Sequence, residues 1–198
     1  MEKGNGIHGR NRALEAIRQE IGRIAAKPIN ILIRGERGTG RRLVARAFER
    51  DHDLQKRPFV IVDCTVPEPL LETTLFGDQP FPGANIHRVG AFEAAAGGTI
   101  LLDEVGNMPL HIQARVRSLL EDQSVRRAGW GERLHVRIIA ITDTDLASAI
   151  AARKFRLDLY YRLNEALVRL PSSRGGNPSR GPTRGKGPPP IKPMRRAA

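Results

Sequence analysis

Cysteine is nearly absent: Cys64 is the one thiol among 198 residues, so no internal disulfide can form and the chain fits a reducing cytoplasm. Long apolar runs are missing as well. No stretch of 18 apolar residues occurs, which argues against a membrane-spanning helix. The opening Met1-Glu2-Lys3-Gly4 leads into no apolar segment of the kind a secretion signal needs. Acids are absent from residues 171–198, where Arg174, Arg180, Arg184, Lys186, Lys192, Arg195 and Arg196 stand unopposed. Those seven account for most of the net charge of +12 and leave +5 for residues 1–170. The basic excess therefore belongs mainly to the tail, and it weakens any reading of the rest as a nucleic-acid binder.

What is present suits one α/β domain. The length allows a sizeable core, and the apolar fraction of 40% is that of a soluble globular chain. Residues 29–46 read as a short buried strand (Ile29 to Ile33), a glycine-rich turn and a helix. That order makes a phosphate cradle, because glycines let backbone N–H groups approach oxygens and a helix N-terminus favours negative charge. The pattern G-x-x-x-x-G-K-[ST] is met at Gly35 and Gly40, with Glu36, Arg37, Gly38 and Thr39 between them. It is broken by Arg41 in place of lysine and by Arg42 in place of a hydroxyl residue.

Periodicity places the other elements. Leu14, Ile17, Ile21 and Ile24 form one face of a helix within residues 7–27, which Asn11 could cap and Pro28 ends. A helix over 42–50 turns Leu43, Val44, Ala47 and Phe48 inward. Residues 59–64 make a buried strand, 67–76 a short helix, 77–85 a glycine- and proline-rich loop, and 90–96 another short helix. Residues 99–104 form an apolar strand that ends in Asp103 and Glu104. A helix over 110–120, a strand over 136–142, a turn at Asp143-Thr144-Asp145 and a helix over 155–163 complete the series. Apolar strands alternating with helices predict a parallel sheet flanked by helices. From 171 onward seven prolines and five glycines fall among 28 residues, a composition expected to be disordered.

Asp103 and Glu104 close an apolar strand about 60 residues beyond the loop. In phosphoryl-transfer ATPases one such acid helps hold Mg²⁺ and its neighbour can orient the attacking water. With this pair in view, residues 5–170 resemble the AAA+ P-loop ATPase core of bacterial enhancer-binding proteins, the activators of sigma-54 RNA polymerase and relatives of two-component response regulators. The resemblance runs through Gly35 to Gly40, Leu43 to Ala47, Leu70-Leu71-Glu72, Leu75-Phe76-Gly77 and Gly90-Ala91-Phe92-Glu93. It continues through residues 96–105, 136–140 and 155–164.

The resemblance implies roles. The loop from Gly35 to Arg42 would bind ATP phosphates, Asp103 would coordinate Mg²⁺, and Glu104 would activate water. Arg156 and Arg162 match the arginine fingers that reach a neighbouring subunit's γ-phosphate, which implies a ring. Asp63 stands where the family has an asparagine that restrains the glutamate, and Ile7 to Gly9 would lie near adenine. Phe81, Pro82, Gly83 and Ala84 align with the GAFTGA loop that contacts sigma-54, although the stretch would also serve as an ordinary surface loop. Asp143 takes the place of a γ-phosphate-sensing asparagine, or it caps the next helix.

The departures shape the expectation. A guanidinium is planar and larger than an ammonium, so Arg41 is not a conservative replacement. Proline fixes φ and removes an N–H, so Pro80 and Pro82 should stiffen the sigma-contact loop. The family's helical lid is not found after Pro171, and the tail reads like an out-of-frame translation of a GC-rich gene. The reading is a cytoplasmic ATP-binding module of a sigma-54-dependent activator with weak or absent hydrolysis, without a DNA-binding domain in this chain. The alternatives are a non-catalytic subunit that joins and modulates an active relative's ring, a non-functional frameshifted fragment, and salt-dependent nucleic-acid binding through the tail.

Overall fold

A computed structural model describes residues 12–25, 27–49, 57–77, 89–122, 125–126 and 133–171. Along the chain these form α1 (Arg12–Ala25), β1 (Ile31–Arg34), α2 (Arg41–Glu49), β2 (Phe59–Asp63), α3 (Glu68–Phe76) and α4 (Ala91–Ala94). Then come β3 (Thr99–Asp103), α5 (Leu110–Asp122), β4 (Val125–Arg126), β5 (Arg133–Leu134), β6 (Arg137–Thr142), α6 (Leu146–Ala151), α7 (Leu157–Leu163) and β7 (Ala166–Arg169).

Five strands form one sheet in the order β2-β3-β6-β1-β7, and every pairing is parallel. Successive side chains of a strand point to opposite faces, so each apolar strand feeds two cores. Ile31 and Ile33 of β1 join Leu101, Ile139 and Ile141 against Ile17, Ile21 and Ile24 of α1 and Val44 and Phe48 of α2. Leu32 faces the other way with Ile100, Leu102, Ile138 and Ala140, covered by Leu71, Phe92, Ile112, Val116 and Leu159. Helices therefore lie on both faces, as an all-parallel sheet requires. α1 is anchored by an unexpected cap. Arg137, at the start of β6, donates to the carbonyls of Ile24 at 3.1 Å, Ala25 at 2.8 Å and Ile29 at 3.0 Å.

The structure corrects several local expectations. Leu43 is 44% exposed, and Ala45 takes its place on the buried face of α2 with Val44, Ala47 and Phe48. β2 is an edge strand rather than a buried one, with Ile61 46% exposed. Leu110 is also exposed, since it starts α5 ahead of the buried Ile112 and Val116. α7 begins at Leu157, while Phe155 packs into the core from the preceding turn. The short antiparallel pair β4–β5 and the edge strand β7 had no assignment in the sequence reading. The tail beyond Pro171 lies outside the described residues.

Candidate functional site

Parallel order puts the C-terminal ends of β1, β3 and β6 on one edge, where α/β sheets bind ligands. β1 runs into the loop, which is tied back by the Gly35 N–H to the Thr142 carbonyl of β6 at 3.4 Å. The loop then turns on itself: the Thr39 N–H and hydroxyl donate to the Glu36 carbonyl at 3.3 and 2.7 Å. Gly38 and Gly40 sit at φ of +83° and +85°, left-handed values that side chains disfavour. Gly35 is required for a different reason. A Cβ there would come within 2.7 Å of Thr39 Oγ1 and 2.9 Å of Leu170 Cβ. α2 starts directly after Gly40, so its first-turn N–H groups have no partners within the helix and border the loop.

Asp103 ends β3 fully inside the sheet, and Glu104 follows it in a left-handed conformation with φ +57° and ψ +49°. An L-residue adopts that region at a cost of about 1 kcal/mol, so neighbours must hold it there. They do. Glu104 Oε1 accepts from Arg41 Nη2 at 2.6 Å, and its Oε2 accepts from the Asp143 N–H at 3.1 Å. Both side chains of the Arg41–Glu104 pair are about nine-tenths buried, at 9% and 11% exposure. Gly106 packs against the end of β6 and the turn after it, where a Cβ would lie 2.9 Å from Thr142 Oγ1 and 2.6 Å from Thr144 Oγ1.

The next arginine holds the next acid. Arg42 Nε donates to Asp103 Oδ2, and Arg42 Nη2 lies 3.7 Å from Asp63 Oδ2. The hydrogen bond to Asp103, then its charge, raises the Arg42 pKa above the usual guanidinium value. Asp63 accepts from the Thr65 hydroxyl at 2.6 Å and the Thr65 N–H at 2.9 Å, and those bonds first, then Arg42, keep its carboxyl below the ordinary range. Asp63 thus turns to Thr65 and Arg42, and Glu104 is restrained by Arg41 and the Asp143 amide instead.

Asp143 does not cap the next helix. Asp145 occupies the N-cap position of α6, and the Asp143 side chain pairs with Arg37 of the loop at 2.8 Å. Burial alone would raise the Asp143 carboxyl, but the hydrogen bond and charge of Arg37, with the charge of Arg41, outweigh it and hold it below its usual pKa. Four carboxylates (Asp63, Asp103, Glu104 and Asp143) therefore meet three loop and helix guanidinium groups (Arg37, Arg41 and Arg42). One donor remains over. Arg41 Nη1 is buried and finds no hydrogen-bond partner among the described residues, an uncompensated cost of the kind found where a polar group awaits a partner.

A Mg²⁺ ion needs near-octahedral oxygen ligands at about 2.0–2.1 Å. Asp103 already gives Oδ2 to Arg42, and Arg42 also lies beside Asp63. The side chains present therefore do not fit the expected Mg²⁺ position. Among the described residues, no group of three or more His, Cys, Asp or Glu side chains could hold a metal ion.

Arg156 and Arg162 are not brought into this cluster. Arg156 is the N-cap of α7 and grips Asp158 with Nε and Nη2, at 3.0 and 2.8 Å. Its N–H donates to Gln113 Oε1 at 2.8 Å, a contact no periodicity reveals. Arg162 lies in the last turn of α7, exposed and without an ion pair among the described residues. Phe81, Pro82, Gly83 and Ala84, like Ile7 to Gly9, lie outside the described residues.

Residues 7–169 match the family described as the sigma-54 interaction domain. The chain belongs to this family. The DNA-binding transcriptional regulator NtrC of Escherichia coli (strain K12) is 42% identical over 173 residues, covering 85% of this chain and 37% of that protein. The response regulator protein PilR of Pseudomonas aeruginosa is 38% identical over 175 residues, covering 86% of this chain and 39% of PilR. The chain thus spans less than two-fifths of the length of these family members. Among solved structures, NtrX from Brucella abortus in complex with ATP superposes with a TM-score of 0.74 at 36% identity, over 83% of this chain and 36% of NtrX. A P-loop NTPase domain of a sigma-54 activator from E. coli, at 20% identity and TM-score 0.56, shares the fold. The fold is that of an AAA+ P-loop NTPase core. No helix among the described residues is long and apolar enough to cross a membrane.

Proposed function

We propose that this chain is the ATP-binding module of a sigma-54-dependent activator in which hydrolysis is weak or absent. One observation carries the reading: consecutive arginines at the start of α2 each bind one of the two acids at the end of β3 and just past it, Arg42 on Asp103 and Arg41 on Glu104. The loop retains what binding needs, namely left-handed glycines and a helix N-terminus. Hydrolysis needs more. A general base must be placed to take a proton from the attacking water, and here both Glu104 oxygens already accept a hydrogen bond, one of them from the Arg41 cation. Losing one transition-state contact typically costs about 10²–10³ in rate.

The NtrX neighbour solved with ATP supports nucleotide as the ligand class, and the family supports sigma-54 RNA polymerase as the eventual partner of the intact activator. Calorimetric titration with ATP and a phosphate-release assay test this on the full chain. ATP binding with turnover about 10²-fold or more below an active relative is the expected result. Arg41→Lys should tighten ATP binding if the loop is a working site bearing a lesion. Vigorous turnover would overturn the hydrolysis claim, and absence of binding would leave only the fold.

A second reading draws on the exposed Arg162, which has no ion pair among the described residues. This chain would sit in a ring beside an active relative and supply Arg162 to the neighbour's γ-phosphate.

A further inference from the structure

The resemblance leads to a divalent cation at Asp103, and the Arg42 side chain already engages Asp103 Oδ2. We propose that the Arg42 guanidinium takes the place of that cation, so that this chain holds nucleoside triphosphate without Mg²⁺. The proposal rests on the nucleotide-binding reading above and concerns how that same site is charged.

Three observations support it. First, Arg42 bridges two acids: Nε is on Asp103 and Nη2 is 3.7 Å from Asp63, both at the C-terminal ends of neighbouring strands. A cation shared between these carboxylates is what the position calls for, and a side chain already provides it. Second, exposure shows from which side it arrives. The Asp103 side chain is 4% exposed and that of Arg42 68%, so the guanidinium closes over the buried acid from solvent. Third, Arg42 directly follows Arg41 at the start of α2, where helix N-terminus and loop glycines meet, so its charge is delivered beside the phosphate cradle.

A guanidinium and a Mg²⁺ ion do different work. The ion brings two charges, draws oxygens to about 2.0–2.1 Å and polarises them; the guanidinium brings one delocalised charge and directed hydrogen bonds. Such a substitution preserves attraction for a polyphosphate and gives up the stronger neutralisation that phosphoryl transfer uses. Arg42 then accounts for metal-independent binding, and it adds to the loss of hydrolysis that the Arg41–Glu104 pair brings.

The test titrates the full chain with a fluorescent methylanthraniloyl-ATP, once with excess MgCl₂ and once with excess EDTA. For the wild-type chain the two affinities should agree within about 3-fold, under 1 kcal/mol. Arg42→Ser uncovers Asp103 and should bind about 10-fold or more tightly with Mg²⁺ than with EDTA. Arg42→Lys keeps a cation in place and should stay close to wild type. Because Arg42 is largely exposed, both variants are expected to fold, which far-UV circular dichroism checks. A wild-type affinity that rises about 10-fold with Mg²⁺ overturns the proposal and leaves nucleotide binding standing. Metal-independence retained by Arg42→Ser overturns it too, since Arg42 is then not the cause. No binding by the wild type in either condition removes the nucleotide reading and this proposal together.

Discussion

Arg41 and Glu104 form a buried ion pair, and such pairs are costly to break from one side. Taking charges out of water is expensive, and removing one partner leaves the other uncompensated at a cost of about 3–5 kcal/mol. Arg41→Met should therefore destabilise the chain by about 3 kcal/mol in urea denaturation. Arg41→Met with Glu104→Gln should recover more than half of that, because the amide still accepts the Asp143 N–H and no lone charge stays buried. Equal losses in the single and double variants would show that the pair is not what holds Glu104 in its left-handed turn. The sequence displayed both arginines as departures from a phosphate-loop pattern, and it displayed the two acids. It did not display their pairing. Which acid meets which arginine depends on how the first turn of α2 is rotated against the end of β3, and that is set by packing of Val44 and Phe48 on the sheet.

At the scale of elements, hydrophobic periodicity located most of what positions the site. β1, β3 and β6 are apolar on both faces and read directly as central strands. β2 misled because Val60 and Val62 resemble the central strands while Ile61 faces outward at the sheet edge. β7 buries only Val168 and so lacks the buried run of a central strand, and the two-residue strands β4 and β5 are too short to carry a period. The register of α7 was also invisible, because a polar residue sets it. Gln113, wholly buried in α5, donates to the carbonyls of Met108 at 2.7 Å and Lys154 at 3.1 Å and accepts the Arg156 N–H at 2.8 Å. Gln113→Met keeps the volume but strands those three backbone groups, and should cost about 2–3 kcal/mol by thermal or urea melting. A loss below about 0.5 kcal/mol would mean that the groups find other partners. The same junction gives a pH signature. The Arg156 hydrogen bond, above all, holds the Asp158 carboxyl below its usual range against partial burial, with the Leu159 N–H assisting. A depressed folded-state value contributes stability above the unfolded pKa of about 3.9, and that contribution is lost as pH falls through the folded value. Between about pH 5 and pH 3 the wild type should thus lose more stability than Asp158→Asn. Parallel acid limbs would remove Asp158 from the account.

The whole molecule is a parallel sheet whose two apolar faces are both covered, with its charged cluster at one edge and α7 carrying two arginines outside that cluster. Those arginines differ in what they can offer a second subunit. Arg156 is committed to Asp158 through two hydrogen bonds, and moving it would undo the start of α7. Arg162 has no such commitment, and its main chain is fixed by the Asn30 amide donating to its carbonyl at 3.0 Å. A backbone tied to β1's approach by that bond, under an exposed guanidinium, suits delivery of charge to a neighbouring site. The distinction was not legible in the sequence, where both arginines match the family's fingers equally and Asp158 is simply the next acid. Arginine fingers contribute about 10³–10⁵ in rate to the site that receives them. In an equimolar mixture with an active relative, each neighbour that faces Arg162→Ala should thus fall silent. Turnover of the mixture should drop by about half relative to the same mixture with the wild-type chain. Arg156→Ala should show itself first in thermal stability. ATPase titration of the relative with each variant checks this. If wild-type and Arg162→Ala mixtures turn over ATP at the same rate, Arg162 serves no neighbour and the ring-subunit reading loses its structural basis.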